Sequence, residues 1–345
     1  MKITDVRAIQ PIGKDSPSDW RTTLGQILVA IDTDAGLTGY GVGGGGLSGI
    51  HVVKTVLRDL LIGRNPEKIP QLWNEMYQAT LAFGRKGIAV MAISGVDLAL
   101  WDLSGKSQKL PIVSLMGGNP GEKIPTYHTV WDFQDLSSVA EHAGFKLHLG
   151  KVAAPDQQEI MISAIEQARS LIGTGRLLMV DAWMKWNVDS TIAISKEIAT
   201  FNIEWIEEPL SPDDLSGYET LKEESAVPIA GGEHEFTAAA FRPLIQQKLH
   251  SVLQPDVCWC GGLTELIKIY KMATAAELRV CPHRGAEIWA LHAIAALDPN
   301  PLAETGRPWM TWVEGQPSIE NGMIELSDQP GFGLTFDEHK LKLIH

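Results

Sequence analysis

Asp181, Glu207 and Glu233 each lie at or near the end of a short apolar run (RLLMVD, IEWIE and VPIAGGE), and 26 residues separate each from the next. A lone carboxylate in such company is costly to bury unless something pairs with it. A spacing close to one strand–helix unit sets the three at the same height on successive strands of a parallel barrel. That height is the C-terminal rim, where barrel active sites lie. Carboxylates converging there repel one another unless a divalent cation holds them, and hard oxygen ligands suit Mg²⁺ or Mn²⁺. A single acidic strand end is most often a helix cap or a surface ion pair; three in register ask for a cation. Glu208 adjoins Glu207, and spacing does not choose between them.

Two more polar residues continue the series. Asp256 ends the run LQPD, and His283, 27 residues further on, ends CPH. A carboxylate beside an imidazole orients it and raises its basicity, as a general acid/base requires. Lys151 lies in or just after GFKLHLGKV, and a lysine whose pKa is lowered by a nearby cation can act as a base. Lys146 and His148 share one face of that strand, and Leu149 and Lys151 share the other. The pattern does not say which face looks inward. Arg21, His234 and Trp259 are candidate pocket residues.

These side chains need a scaffold that repeats. Between Gly121 and the tail, short apolar runs (IPTYHTV, FKLHLGKV, RLLMVDA, IEWIEEP, VPIAGGE, SVLQPDV, LRVCPH) alternate with amphipathic helix-length stretches. Such alternation predicts a parallel sheet, and at least seven units predict a (β/α) barrel. The loop Gly117-Gly118-Asn119-Pro120-Gly121 is the expected domain boundary. Before it, Gln26 to Val42 reads as an antiparallel hairpin turning at Asp34-Ala35-Gly36, followed by helices from about Ile50 to Leu61 and across IPQLWNEMYQATLA and IAVMAISGVDLALWDLSGK. The tail NGMIELSDQPGFGLTFDEHKL is β-rich and is expected to pack back on the N-terminal part. GVGGGG (Gly41 to Gly46) satisfies G-x-G-x-x-G, which keeps a nicotinamide-dependent oxidoreductase as a remote rival. It follows a hairpin strand instead of opening a βαβ unit, so a mobile cap loop is expected there.

Composition narrows the partners. The 345 residues are 44% hydrophobic and 21% charged, with 42 acidic against 29 basic residues and a net charge of −13. No basic block interrupts this, so nucleic acid and anionic membrane are poor partners. No run approaches the ~20 apolar residues of a membrane span, and MKITDVRAIQ lacks the apolar run of a signal peptide. Three cysteines are few for a disulfide framework, so a reducing cytoplasm is the expected setting.

The series Asp181, Glu207 in WIEEP, Glu233 in GGEH, Asp256 in LQPD and His283 in PH resembles the mandelate racemase branch of the enolase superfamily. MYQATLAFGRKGIAVMAISGVDLALWDLSGK, with GEH and LQPDVCWCGGLTEL, is most similar to the rhamnonate dehydratases of that branch. The resemblance runs from the hairpin to PGFGL. It implies a modified TIM barrel, (β/α)7β, over residues 122–304, under an α+β capping domain formed by residues 1–121 and the returning segment 305–345. It assigns Mg²⁺ to Asp181, Glu207 and Glu233, and the acid/base role to His283 with Asp256. It gives Glu304, in NPLAE, a hydrogen bond to the substrate carboxylate, and it matches the branch's Lys-x-Lys to Leu149 and Lys151.

The implied activity is dehydration of an acid sugar (an aldonate). His283 removes the C2 proton, the enediolate is stabilised by the metal and a protonated Glu304, and loss of the C3 hydroxyl gives a 2-keto-3-deoxy acid. Lys151 is the reserve acid or base. A homo-oligomer is implied as well. The rivals are an epimerase or racemase with two opposed bases, and a non-enzymatic barrel whose carboxylates hold a structural ion.

Overall fold

The computed structural model describes residues 1–12, 25–131, 141–149, 157–305, 313–337 and 342–344; Arg21 and Lys151 lie outside them. Three antiparallel strands open the chain: β1 (Ile3–Ile12), β2 (Ile27–Thr33) and β3 (Thr38–Gly43). The β2–β3 turn runs through Asp34-Ala35-Gly36, with Gly36 at φ 73, a conformation that favours glycine. A strand from the far end of the chain, Lys342–Ile344, pairs with β1, setting Ile344 opposite Gln10.

Next come α1 (Gly46–Val52), a π-helical turn (Val53–Leu57) and α2 (Arg58–Leu61), then α3 (Ile69–Gly84) and α4 (Ile88–Gln108). By length and composition α4 could cross a membrane, yet 78% of its apolar window is buried inside the protein. It is apolar on most sides because β3 covers one face and the second domain another. The glycine-rich run explains how β3 comes so close. A Cβ on Gly39, Gly41 or Gly43 would sit 2.2 Å from Ala99 O, 2.2 Å from Gly95 O and 2.4 Å from Met91 O respectively. The strand therefore lies on the backbone of α4. Gly41 to Gly43 belong to β3 and Gly46 starts α1, so the expected mobile loop shrinks to Gly44 and Gly45. Its glycines serve packing, with no βαβ unit for a dinucleotide.

After α5 (Ile112–Leu115) the strand–helix alternation begins. The order is β4 (Lys123–Val130), β5 (Gly144–His148), α6 (Gln158–Ile172), β6 (Leu177–Asp181), α7 (Val188–Ile198), β7 (Ile206–Glu207) and α8 (Leu215–Glu224). It continues through β8 (Ile229–Gly231), α9 (Thr237–Gln246), β9 (Val252–Leu253), α10 (Leu263–Ala275), β10 (Arg279–Val280), α11 (Ile288–Leu297) and β11 (Ala303–Thr305). The eight strands are parallel, β4 to β10 pairing in sequence and β11 flanking β4 on its other side. This is the (β/α)7β barrel under an α+β cap. A small cluster of Tyr127, Met179, Trp205, Ala230, Val252, Cys281 and Leu302 fills the barrel floor, apart from the larger core between strands and helices. The apolar floor forces the polar residues upward, toward the C-terminal rim.

Candidate active site and cation site

Register brings the rim together. His148 pairs with Asp181 across β5 and β6, and Asp181 pairs with Glu207 across β6 and β7, so three polar residues stand side by side on strands two to four. Glu233 lies two residues beyond β8, Asp256 three beyond β9, and His283 three beyond β10. Several non-glycine residues at these strand ends take positive φ: Trp183 (46), Met184 (59), Glu208 (37), Thr237 (68) and Arg284 (56). Such uncommon conformations cluster at functional sites because the surrounding structure must over-determine them.

Below the rim, Glu207 is gripped from three sides. Lys146 Nζ donates to both its oxygens at 2.7 Å, and Oε2 also accepts from Gln254 Nε2 at 2.6 Å and Trp205 Nε1 at 3.4 Å. The same Nζ lies 2.9 Å from Glu304 Oε1. Burial opposes the charge on Lys146, but Glu207 and Glu304 outweigh it and hold the amine protonated. Glu304 accepts from Thr129 Oγ1 through Oε1 and from the Arg284 N–H through Oε2 at 2.8 Å. Burial pushes Glu207 up to about 7 against the pull of Lys146, with Asp181 and Glu304 adding to the rise. Asp181 accepts from the Trp183 N–H at 2.9 Å.

Around Glu233 the balance differs. Burial raises its carboxyl to about 7, with His283 and His234 opposing. Glu208 accepts from His234 Nδ1 at 2.6 Å and from the Gly232 N–H at 3.3 Å. Burial works against its charge, yet the His234 hydrogen bond holds Glu208 below the usual carboxylate range. His234, opposed by burial, is raised to about 9 by Glu208 and Glu233. Among the described residues, Glu208, Glu233 and His234 can bring one ligand atom each within 4.8 Å of one another. A second acidic rim thus borders the expected Asp181–Glu207–Glu233 set, sharing Glu233. The donors in the expected set are all carboxylate oxygens, the chemistry of a Mg²⁺ or Mn²⁺ site.

The expected neighbours Asp256 and His283 are in contact. His283 Nδ1 lies 2.8 Å from Asp256 Oδ2, and Asp256 Oδ1 accepts from the Cys258 N–H at 2.7 Å. Burial disfavours the Asp256 carboxylate, but Arg284 and His283 keep its pKa below the ordinary value. His283 Nε2 lies 3.0 Å from Glu233 Oε2 without hydrogen-bond geometry, leaving that nitrogen without a hydrogen-bond partner among the described residues. Trp259 stands between the two imidazoles, 5.8 Å from His234 and 6.0 Å from His283 between ring centroids.

Strand two holds a correction. Lys146 and His148 face the barrel interior, while Leu149 is fully buried in the core outside the strands. The inward Lys-x-His of β5 therefore takes the place expected for Leu149 and Lys151. His148 Nε2 lies 3.7 Å from Asp181 Oδ2, and its ring stacks on Trp131 at 4.3 Å. The two-residue spacing had marked Lys146 and His148 as partners on one face. What was missing was the sign of that face. Arg284, also unforeseen, is buried with Nη1 3.7 Å from Asp256 Oδ2 and its Nε donating to Glu287 at 2.9 Å.

Comparison with known proteins matches residues 14–117 to the N-terminal domain of mandelate racemase/muconate lactonizing enzymes and residues 133–340 to an enolase C-terminal domain-like unit. A Caldivirga maquilingensis protein, named provisionally as an L-rhamnonate dehydratase, is 32% identical over 97% of this chain and 87% of its own. Among solved structures, rhamnonate dehydratase from Gibberella zeae complexed with Mg is similar with a TM-score of 0.89 and 30% identity, covering 99% of this chain and 96% of that one. The 3,6-anhydro-D-galactonate cycloisomerase from Zobellia galactanivorans also gives a TM-score of 0.89, at 28% identity, over 99% of this chain and 100% of that chain.

Proposed function

We infer the reaction from one premise: the chain belongs to the mandelate racemase/muconate lactonizing enzyme family. The chain is a Mg²⁺-dependent hydro-lyase, and its proposed substrate is an acid sugar, dehydrated to a 2-keto-3-deoxy acid. The observation that carries this is the His283–Asp256 pair, whose free ring nitrogen opens beside Glu233. It sets an acid/base group against a rim of carboxylates, as proton abstraction next to a carboxylate requires.

Asp181, Glu207 and Glu233 would hold the cation. Bound Mg²⁺ supplies positive charge against the substrate carboxylate as the neighbouring C–H bond breaks. Asp256 fixes the imidazole through Nδ1, so Nε2 takes the C2 proton. The electron pair left at C2 forms the C2–C3 double bond as the C3–O bond breaks. The departing hydroxyl takes a proton from an imidazole and leaves as water, and the enol then tautomerises to the ketone. His283 returning its own proton gives syn elimination; His148, inward on strand two, gives anti. Glu304, already accepting from Thr129, Lys146 and the Arg284 N–H, acts through Lys146 to steady Glu207. His234, Trp259 and Arg21 remain proposed pocket residues, and Lys151 the reserve acid or base.

A screen of the Mg²⁺-loaded protein against acid sugars in deuterated water tests the reading. The expected result is a 2-keto-3-deoxy acid that a chelator abolishes. A second reading, epimerisation, is favoured by the two inward imidazoles His148 and His283. Deuterium entering C2 of unreacted acid sugar or its epimer, with no keto acid formed, would overturn dehydration in its favour.

A further inference from the structure

Helix α10 begins without a cap of its own. Its N-cap residue is Gly262, at φ 84, which offers no side chain to the exposed N–H groups. The acceptor comes from the other domain. Asp97 of α4 takes the Thr264 N–H on Oδ2 at 2.9 Å and the Thr264 hydroxyl on Oδ1 at 2.5 Å. A Cβ at position 262 would lie 2.4 Å from Asp97 Oδ2, so glycine at the helix start is what admits the foreign carboxyl.

Asp97 does not act alone. Ser94, Asp97 and Trp101 recur on one face of α4 at three- and four-residue spacing. Ser94 Oγ accepts from the Gly261 N–H at 2.9 Å, Trp101 Nε1 donates to Thr264 Oγ1 at 3.0 Å, and Trp73 Nε1 of α3 donates to Gly261 O at 2.7 Å. This short turn follows the residues that hold the dyad carboxylate. The Cys260 N–H donates to Asp256 O at 2.7 Å and the Cys258 N–H to Asp256 Oδ1 at 2.7 Å. The pattern repeats one helix back. Phe236 gives α9 no side-chain cap, and Glu265, in the first turn of α10, accepts from the Ala238 N–H at 2.7 Å. α9 starts four residues after Glu233.

We propose that Asp97 is a positioning residue: by capping α10 from the capping domain it fixes the turn after strand six, and through that turn the aim of Asp256 at His283. The capping domain then supports the acid/base pair from behind, besides covering the rim. This rests on the dyad reading above, so its test has an arm that needs no turnover.

Three proteins decide it: wild type, Asp97→Ala and Asp97→Asn, the last retaining an acceptor that caps well. In amide hydrogen exchange, Asp97→Ala is expected to quicken exchange about tenfold at Cys258 and Cys260, whose bonds end on Asp256, as well as at Gly261 and Thr264. Asp97→Asn is expected to leave all four near wild type. With a turned-over acid sugar, Asp97→Ala should lower kcat about tenfold, with KM changed less than about twofold, and Asp97→Asn should restore kcat. Disturbance that stops at Gly261 and Thr264, or a loss carried by KM, overturns the proposal. If Asp97→Ala does not fold, Ser94→Ala, which removes only the acceptor for the Gly261 N–H, must quicken Cys258 and Cys260 or the proposal falls. If no acid sugar is consumed, the dehydratase reading fails while the exchange measurement still judges Asp97.

Discussion

Lys146 is the residue on which the rim's charge balance turns. One buried ammonium serves Glu207 and Glu304 together, so neither carboxylate can be altered without disturbing the other. Two predictions belong here. His283→Asn should lower turnover of the acid sugar by about 10²–10⁴ while leaving Mn²⁺ binding intact. Glu207→Gln should weaken Mn²⁺ binding, read by titration calorimetry, about 100-fold, and Glu208→Gln only about tenfold. The opposite ranking would hand the ligand role to Glu208. At this scale the sequence was legible where periodicity spoke: 26-residue spacing marked Asp181, Glu207 and Glu233 at successive strand ends, and a 27-residue step marked the hydrogen-bonded Asp256 and His283. It was silent where the answer depended on which face of β5 turns inward. Alternation relates Lys146 to His148, with Leu147 and Leu149 on the opposite face, but carries no absolute direction.

Among the elements, α4 bears the heaviest load, with a sheet on one side and the barrel on another. Burial raises Asp97 on this helix to about 7, with the Thr264 hydrogen bonds and Lys268 opposing and Glu265 adding to the rise. The folded protein therefore binds this proton more tightly than the unfolded chain, whose value is near 3.8. The associated stability is full at low pH and is lost as pH rises through about 7. Asp97→Asn should remove that loss, so its melting temperature should gain on wild type from about pH 4 to about pH 7 and hold a level lead above that. A constant difference across that range would show that Asp97 keeps an ordinary pKa. The helix itself was readable from its apolar periodicity. The partners of Ser94, Asp97 and Trp101 were not, because each lies some 160 residues away in sequence.

For the whole molecule, buried acidic groups concentrated at one rim make the bound cation a stabiliser. Adding Mg²⁺ at about 100 times its dissociation constant should stabilise the fold by about 2.7 kcal/mol, and a chelator should reverse the gain in a thermal melt. An unchanged melting temperature would argue that the carboxylates are satisfied by Lys146 and His234 alone. The barrel was legible from its repeat and the tail's return from its β-rich, unrepeating pattern, whereas the choice of β1 as partner for Lys342–Ile344 was not, since no local pattern names a strand at the other end of the chain.

The glycine stripe of β3 inverts a common engineering rule. Replacing glycine by alanine in a strand usually stabilises a protein by restricting the unfolded chain. At Gly41 the added methyl would meet the Gly95 carbonyl at 2.2 Å, and a backbone oxygen has no rotamer by which to step aside. Gly41→Ala should therefore cost about 1–3 kcal/mol in a denaturant titration instead of returning a gain. Consensus or library-based stabilisation of this enzyme should leave positions 39, 41 and 43 untouched, since the strand and helix are fused there without a side chain to adjust.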